Sequence, residues 1–277
     1  MTTDARTHAA GAPPGAQAVT RALRLLHCFR DNTGELTASQ LARRMELSVS
    51  TAHRLARTLV AAGFLEQDEH SARYRLGPSV AELGQLSLHQ RGMHRALPEL
   101  DALARVTGTT ADLAIRGGAH AVILVGGSVN AASGLGLRRP LHSTALGKVL
   151  LAWARPGEQE LDALPPLQAH TDRTIIGLAE LRAELDRVRQ AGHALNDGES
   201  AYGVRTAAVP VLDAAGHAHA ALAVRSTPDV ITDDRLGWFV ARAHACARAL
   251  EVLLLPPDQR HSAADAVNPG APAGPAS

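Results

Sequence analysis

Apolar residues recur at Val19, Leu23, Leu26 and Phe29, a spacing that predicts one stripe of a first helix, ending near Asp31-Asn32-Thr33-Gly34. Thr37 stands where an N-cap is needed for a second helix running through Leu41 to Met45. Ser48 does the same for a third that continues to about Ala62, and only Glu46-Leu47 separates the two. Gly63 is placed to stop the third helix. Phe64-Leu65-Glu66 and Arg73-Tyr74-Arg75-Leu76 then flank a polar tip, Gln67 to Ala72, as the arms of a short hairpin do. Three short helices and a hairpin over residues 17–77 form the pattern of a winged helix-turn-helix.

Residues 78–92 carry Val80, Leu83 and Leu86 to Leu88 at helical spacing and read as a linker helix. From 93 to 256 helical and β-rich runs alternate. Strands are expected at Thr110 to Arg116, Ala121 to Val129, and near 193–196, 205–212 and 219–225. Helices are expected at Ser143 to Ala154, along the Leu178, Leu181, Leu185, Val188 stripe, and at about 233–255. The class is α+β, with an antiparallel sheet flanked by helices as the second domain. Residues 1–16 and 257–277, rich in Ala, Pro, Gly and Ser, are expected to be disordered tails. No repeat of 20 to 50 residues is visible, which excludes solenoids and propellers.

Composition changes this picture little. At 277 residues with 45% hydrophobic and 20% charged positions, the chain has the make-up of a soluble two-domain protein. No apolar run approaches the roughly 18 residues of a membrane span. Its start lacks the basic and then apolar stretches of a secretory signal, so the cytoplasm is the expected compartment. Cys28 and Cys246 each sit in an apolar helical pattern and read as packed thiols. Lys148 is the only lysine among 28 basic residues.

The net charge of +1 gives no global signal for nucleic acid, but residues 17–77 hold nine arginines against six carboxylates, a local excess of three. That excess suits phosphate attraction and salt-sensitive affinity. In a helix-turn-helix the second of the paired helices enters the major groove, apolar toward its own domain and polar toward the bases. The third helix here divides that way. Ala52, Leu55 and Leu59 face inward, while Ser50, Thr51, His53, Arg54 and Arg57 face outward or sit at the exposed N-terminal end near Ser48. Either Arg54 or Arg57 can reach guanine O6 and N7 bidentately, a contact worth roughly 1 to 3 kcal/mol of discrimination, and serine and threonine serve phosphates equally well. Ser48 itself, with Arg43 and Arg44 on the preceding helix and Thr37 at its cap, completes the candidate DNA-binding set. A solvated basic surface, or a winged helix that binds protein, would show the same local pattern.

Read together, VTRALRLLHCF, LTASQLARRMELSVSTAHRLARTLVAAGFLEQ and YRLGPSVAELG resemble the IclR family of bacterial regulators. So do RPLHSTALGKVLLA (139–152), TDRTI (171–175), LRAELDRVRQAGHA (181–194) and GVRTAAVPVLDAAG (203–216), and the resemblance covers residues 17–255. It implies a GAF-like effector-binding domain after the linker helix, a homodimer or homotetramer on palindromic operator DNA, and no catalysis. Because effector binding in a distal domain can change the separation of two DNA-reading heads through the linker helix, a repressor released by a small organic-acid metabolite is expected, with an activator of the same architecture as the alternative. Carried over by motif, the effector pocket takes Ala145 and Leu146 at a helix start, Asn196 and Thr206 on facing segments, and Ala223 with Arg225 on the late strand. Backbone N-H groups at that helix start suit a carboxylate. The chain departs from the family at Asn196, where an aspartate is common, and at LAVRSTP, where alanine and arginine replace small serine-type residues. Arg225 either pairs with an anionic ligand or faces outward, since a one-residue shift of the strand reverses its side. His142 is either a ligand group or one that caps a helix or satisfies the backbone. Glu199 is either a ligand group or a turn acid.

The rival classes are an enzyme and a protein-interaction adaptor. Among fourteen histidines, His217-x-His219 has no third ligand at a zinc-like interval, so neither a metal nor another cofactor is expected. Ser143 beside His142 lacks a G-x-S-x-G elbow, and neighbours at a helix start do not face each other.

Overall fold

The computed structural model describes residues 16–30, 34–130, 137–158 and 161–260. The expected first tail, except for Ala16, the DNT stretch at 31–33 and most of the second tail lie outside the described residues. Contacts divide the chain into two compact units, with the break after Ser87.

In the first unit, helix α1 (Ala16–His27) is followed by α2 (Ala38–Met45), α3 (Val49–Ala61) and a hairpin of β1 (Leu65–Gln67) and β2 (Tyr74–Leu76). The caps are local and explicit. Thr37 Oγ1 accepts from the Gln40 amide at 3.2 Å while Gln40 Oε1 accepts from the Thr37 amide at 2.8 Å, a reciprocal box that starts α2. Ser48 Oγ accepts from the Thr51 amide at 3.2 Å to start α3. Glu46, at φ 56°, makes the left-handed turn between them. A core of Leu25, Phe29, Leu41, Met45, Ala52, Ala56, Leu59, Leu65 and Tyr74 fills the unit.

Two expectations are corrected here. Val19 and Leu23 are 61% and 53% exposed, and the side of α1 turned to the core is Ala22, Leu25 and Leu26. The helix is apolar over an arc wider than its neighbours cover, so spacing alone does not select the buried stripe. On α3 the buried partner of Ala52 and Leu59 is Ala56, with Leu55 only half-buried.

Helix α4 (Pro78–Gln90) occupies the expected linker and has no buried residue; Leu83 and Leu86 are exposed. After Gly92, at φ 69°, the second unit opens with α5 (Met93–Thr107). Its sheet comprises β3 (Thr110–Gly117), β4 (His120–Gly126), β5 (Arg138–Pro140), β6 (Ala194–Asp197), β7 (Arg205–Leu212) and β8 (Ala218–Ser226). The strands lie in the order β5-β4-β3-β8-β7-β6, with every pair antiparallel. Helices α6 (Gly127–Asn130), α7 (Ala145–Ala152), α8 (Leu178–Ala191) and α9 (Asp233–Leu254) complete it.

The sheet is covered on both faces, and strand periodicity sorts its side chains. Ala207, Val209 and Val211 of β7 and Ala220, Leu222 and Val224 of β8 share a core with α5 and α9. Ala208, Ala221 and Ala223 share the other with α7 and α8. The second face is the alanine-rich one, and those short side chains let α7, all eight of whose residues are buried, lie close on the sheet.

The strand expected over Ala121 to Val129 ends at Gly126. The Asp112 carboxylate accepts from the Ser128 amide at 2.8 Å and the Ser128 hydroxyl at 2.6 Å, which draws residues 127–130 into a helical turn. The helix expected from Ser143 starts at Ala145, because Thr144 is its cap. β5, three residues ending on a proline, was not anticipated. Residues 257–259 form a 3-10 turn, and Arg260 donates to the Leu255 and Val252 carbonyls, so ordered chain continues past the expected domain end at 256.

Candidate DNA-reading helix and ligand cavity

α3 turns Ser50, His53, Arg54 and Arg57 to solvent at the i, i+3, i+4, i+7 spacing of a single face, opposite buried Ala52, Ala56 and Leu59. At its start Ser48 Oγ lies 3.1 Å from Ser50 Oγ and 2.8 Å from Thr51 Oγ1, a compact set of hydroxyls at the positive end of the helix dipole. Such an end meets a phosphate without a bulky side chain intervening. Thr37 spends its hydroxyl on the α2 cap. Arg43 and Arg44 are both exposed on α2, but Arg44 Nη1 donates to the Cys28 carbonyl and so also closes the end of α1. On the hairpin, Arg75 pairs with Glu66 at 2.8 Å.

In the second unit, Ala145, Leu146, Asn196, Thr206, Ala223 and Arg225 line one cavity between α7 and the alanine-rich face of the sheet. Arg225 therefore faces inward, on the same side of β8 as Ala223. The free space is small, about 40 Å³ for the centres of water-sized molecules. Thr144 lies beside it and caps α7, accepting from the Gly147 amide at 3.1 Å. A side chain at Gly147 would meet the Leu141 backbone at 2.4 Å, so glycine there lets the segment before the helix pack directly on it.

The cavity also holds two charged residues that sequence reasoning did not select, Asp112 and Arg139. Asp112 is 2% exposed, and both its oxygens bind Ser128. Arg225 Nη2 donates to the same Ser128 hydroxyl at 3.0 Å, and no described carboxylate forms an ion pair with Arg225. Burial pushes the Arg139 guanidinium below its usual pKa, Arg225 pushes in the same direction, and Asp112 opposes both. The cavity lining thus carries two guanidinium groups and one carboxylate. The sequence signal for Asp112 is an acid inside the apolar run of β3.

His142 and Glu199 do not line this cavity. His142 Nε2 bonds the Gln168 carbonyl at 2.9 Å, and the ring stacks on His170 with centroids 5.8 Å apart. Burial holds its pKa below the ordinary histidine value. Glu199 pairs with Lys148. Cys246 is buried and its thiol is pushed up to about 12 by desolvation, consistent with a packed, unreactive group. Among the described residues no cluster of three or more His, Cys, Asp or Glu could hold a metal ion, and no helix is long and apolar enough to cross a membrane.

A helix-turn-helix head with a basic, hydroxyl-tipped third helix, joined in sequence to an α+β unit with a charged cavity, is the architecture of a ligand-responsive DNA-binding regulator. The chain belongs to the IclR family of bacterial transcriptional regulators. The family model for the IclR helix-turn-helix domain matches residues 18–69, and that for the bacterial transcriptional regulator IclR C-terminal region matches residues 86–252. The chain is 35% identical over 245 residues to the HTH-type transcriptional regulator XynR of Escherichia coli K12, covering 86% of this chain and 96% of XynR. It is 30% identical over 231 residues to the HTH-type transcriptional repressor AllR of Klebsiella pneumoniae, covering 81% and 85%. An IclR homologue from Microbacterium hydrocarbonoxydans, solved in complex with 4-hydroxybenzoate, superposes with a TM-score of 0.72 at 27% identity, covering 86% of this chain and 98% of that one.

Proposed function

We propose that this regulator is a repressor that binds a palindromic operator as a homodimer or homotetramer and is released from it by a small carboxylate held in the Arg225 cavity. One observation carries the reading: a guanidinium turned into a cavity, with only a neutral hydroxyl as its hydrogen-bonding partner among the described residues. A half-buried cation that no carboxylate pairs with directly is costly, and an anionic ligand reduces that cost on binding. The start of α7 adds amide dipoles of the favourable sign. The repressor name of the relative AllR, and the carboxylate bound by the Microbacterium homologue, point the same way.

On the DNA side, Arg54 and Arg57 are the base-reading candidates, with Ser48, Ser50, Thr51 and His53 at the phosphates and groove edge. Release requires only that the acid bind the DNA-free arrangement better than the DNA-bound one, by a coupling of about 1 to 3 kcal/mol. The test is a gel shift on the promoter region beside the protein's own gene, with a panel of small organic acids first ranked by thermal shift. The unaltered protein binds at low salt and one of the acids releases it. Arg225→Ala binds equally well and no longer responds. An Arg225→Ala protein with an unchanged response removes Arg225 from the site, and the lack of any shift at low salt removes the DNA reading.

A further inference from the structure

The only lysine of the chain, Lys148, is 1% exposed. An ammonium removed from water needs a partner for each of its three N-H groups, and it has them. Nζ donates to Glu199 Oε1 at 2.6 Å, to Glu184 Oε1 at 2.8 Å and to the Leu195 carbonyl at 2.9 Å. Leu195 and Glu199 stand on either side of Asn196, so one ammonium grips the chain just before and just after a residue that lines the cavity.

The backbone of Glu199 is engaged as well. Its amide donates to Asn196 Oδ1 at 2.9 Å, and its carbonyl accepts from Thr174 Oγ1 at 2.7 Å. Asn196 Nδ2 then donates to Ser200 Oγ at 2.7 Å. The two polar side chains that this turn presents to the cavity thus take their positions from Glu199, which itself lies outside it. Glu184 is held on its own helix by Arg187 at 2.8 Å, so Lys148 ties α7 both to α8 and to the turn.

Stability alone is a poor reason for such a cluster, since apolar residues of similar volume often do as well as a buried ion pair or better. Glu199 Oε2 is moreover buried with no hydrogen-bond partner among the described residues, a cost that packing does not require. We propose that Lys148 and Glu199 are positioning residues of the ligand cavity, whose ion pair fixes Asn196 and Ser200 in the geometry that meets the ligand. The proposal rests on the reading of that cavity as a carboxylate site.

The full chain is compared with Glu199→Ala, which leaves Lys148 its bonds to Glu184 and Leu195, and with Glu199→Gln, which returns a neutral hydrogen-bonding group. Lys148→Met strips both grips at once but leaves two buried carboxylates facing each other and is prone to misfold, so the Glu199 variants decide. Two quantities are measured: amide hydrogen exchange in peptides spanning 195–204, and the affinity for acetate, the simplest carboxylate probe with a carbon chain. In Glu199→Ala, exchange accelerates in that segment alone and acetate binds about tenfold more weakly, the scale on which supporting groups behind metal ligands act. Glu199→Gln recovers part of both losses. Unchanged exchange over 195–204 in the alanine variant overturns the proposal. So does acceleration spread evenly through α7, α8 and the sheet with a matching fall in melting temperature, which makes the pair a general brace. Failure of acetate to bind the unaltered protein counts against the carboxylate reading, and the exchange measurement then decides the positioning role by itself.

Discussion

The Arg225 guanidinium donates to the Ser128 hydroxyl at 3.0 Å, and that hydroxyl donates in turn to the Asp112 carboxylate at 2.6 Å. Ser128 thus links a cation to a carboxylate through one shared hydroxyl. It keeps the arginine oriented without neutralising it.

Replacing Ser128 by Ala removes the acceptor of Arg225 and one of the two donors to Asp112. A loss of about 1 to 3 kcal/mol in unfolding free energy is expected, the range for hydrogen bonds to charged groups in a buried site. Urea denaturation followed by circular dichroism measures it. In the same variant Arg225 is free to turn toward Asp112, so ligand-induced release of DNA should require more acid, read by gel-shift titration. A variant as stable as the parent would show that the chain of bonds carries little energy.

Arg54 and Arg57 share the outer face of α3 and are separable by salt. An arginine that contacts phosphate weakens binding to every sequence when changed to Ala and lowers the salt slope by about 1, whereas a base-reading arginine costs about 1 to 3 kcal/mol on the operator only. Fluorescence anisotropy on operator and scrambled duplexes across a salt series distinguishes the two. If both alanine variants bind as the parent does, neither residue touches DNA.

Thr37→Ala breaks the reciprocal cap of α2. The expected cost is about 1 kcal/mol, within the span measured for N-cap removal. It falls on the head rather than on the sheet unit, so hydrogen exchange of peptides from α2 rises while that of β7 and β8 does not.

Stability should decline on acidification below about pH 6.5, the ordinary histidine value. His142, His219 and His244 all have pKa values lowered, first of all by burial. For a base depressed in the folded state the unfolded chain takes up protons first. The stabilisation is therefore complete above the unfolded value and is lost as pH falls through the folded ones. His142→Asn removes one share of that slope, and unfolding free energies measured from pH 7.5 down to about 5 test it. Equal slopes for parent and variant would assign the titration elsewhere.

Much of the head was legible because its signals are local. Thr37 with Gln40 and Ser48 with Thr51 each lie three residues apart, and the caps they form fix where α2 and α3 begin. The buried side of α1 was not, because its apolar face is wider than the strip that its neighbours cover, leaving Val19 and Leu23 exposed beside buried Leu25. Strand β8 hid the side on which Arg225 lies for a related reason. A strand covered on both faces is apolar throughout, so the alternation that assigns faces is missing from its sequence. The family motif nevertheless brought six residues to one cavity. The motif could not supply Asp112 and Ser128, because their relation to Arg225 arises from the pairing of β3 with β8 and from a helical turn 97 residues away from that arginine, and Arg139, which opens the run RPLHSTALGKVLLA, reaches the cavity through the pairing of β5 with β4. Lys148 was conspicuous as the only lysine, yet its three partners lie 36, 47 and 51 residues downstream, beyond any local pattern.

The alanines at 145 and 223 give the cavity walls with no rotamers to swing aside. At those two places the backbone decides what fits, as in a mould rather than a glove, while Arg139, Leu146, Asn196 and Arg225 supply the side chains that can adjust. A change of chemical taste in a descendant of this protein would come most readily from those two letters, one methyl group at a time.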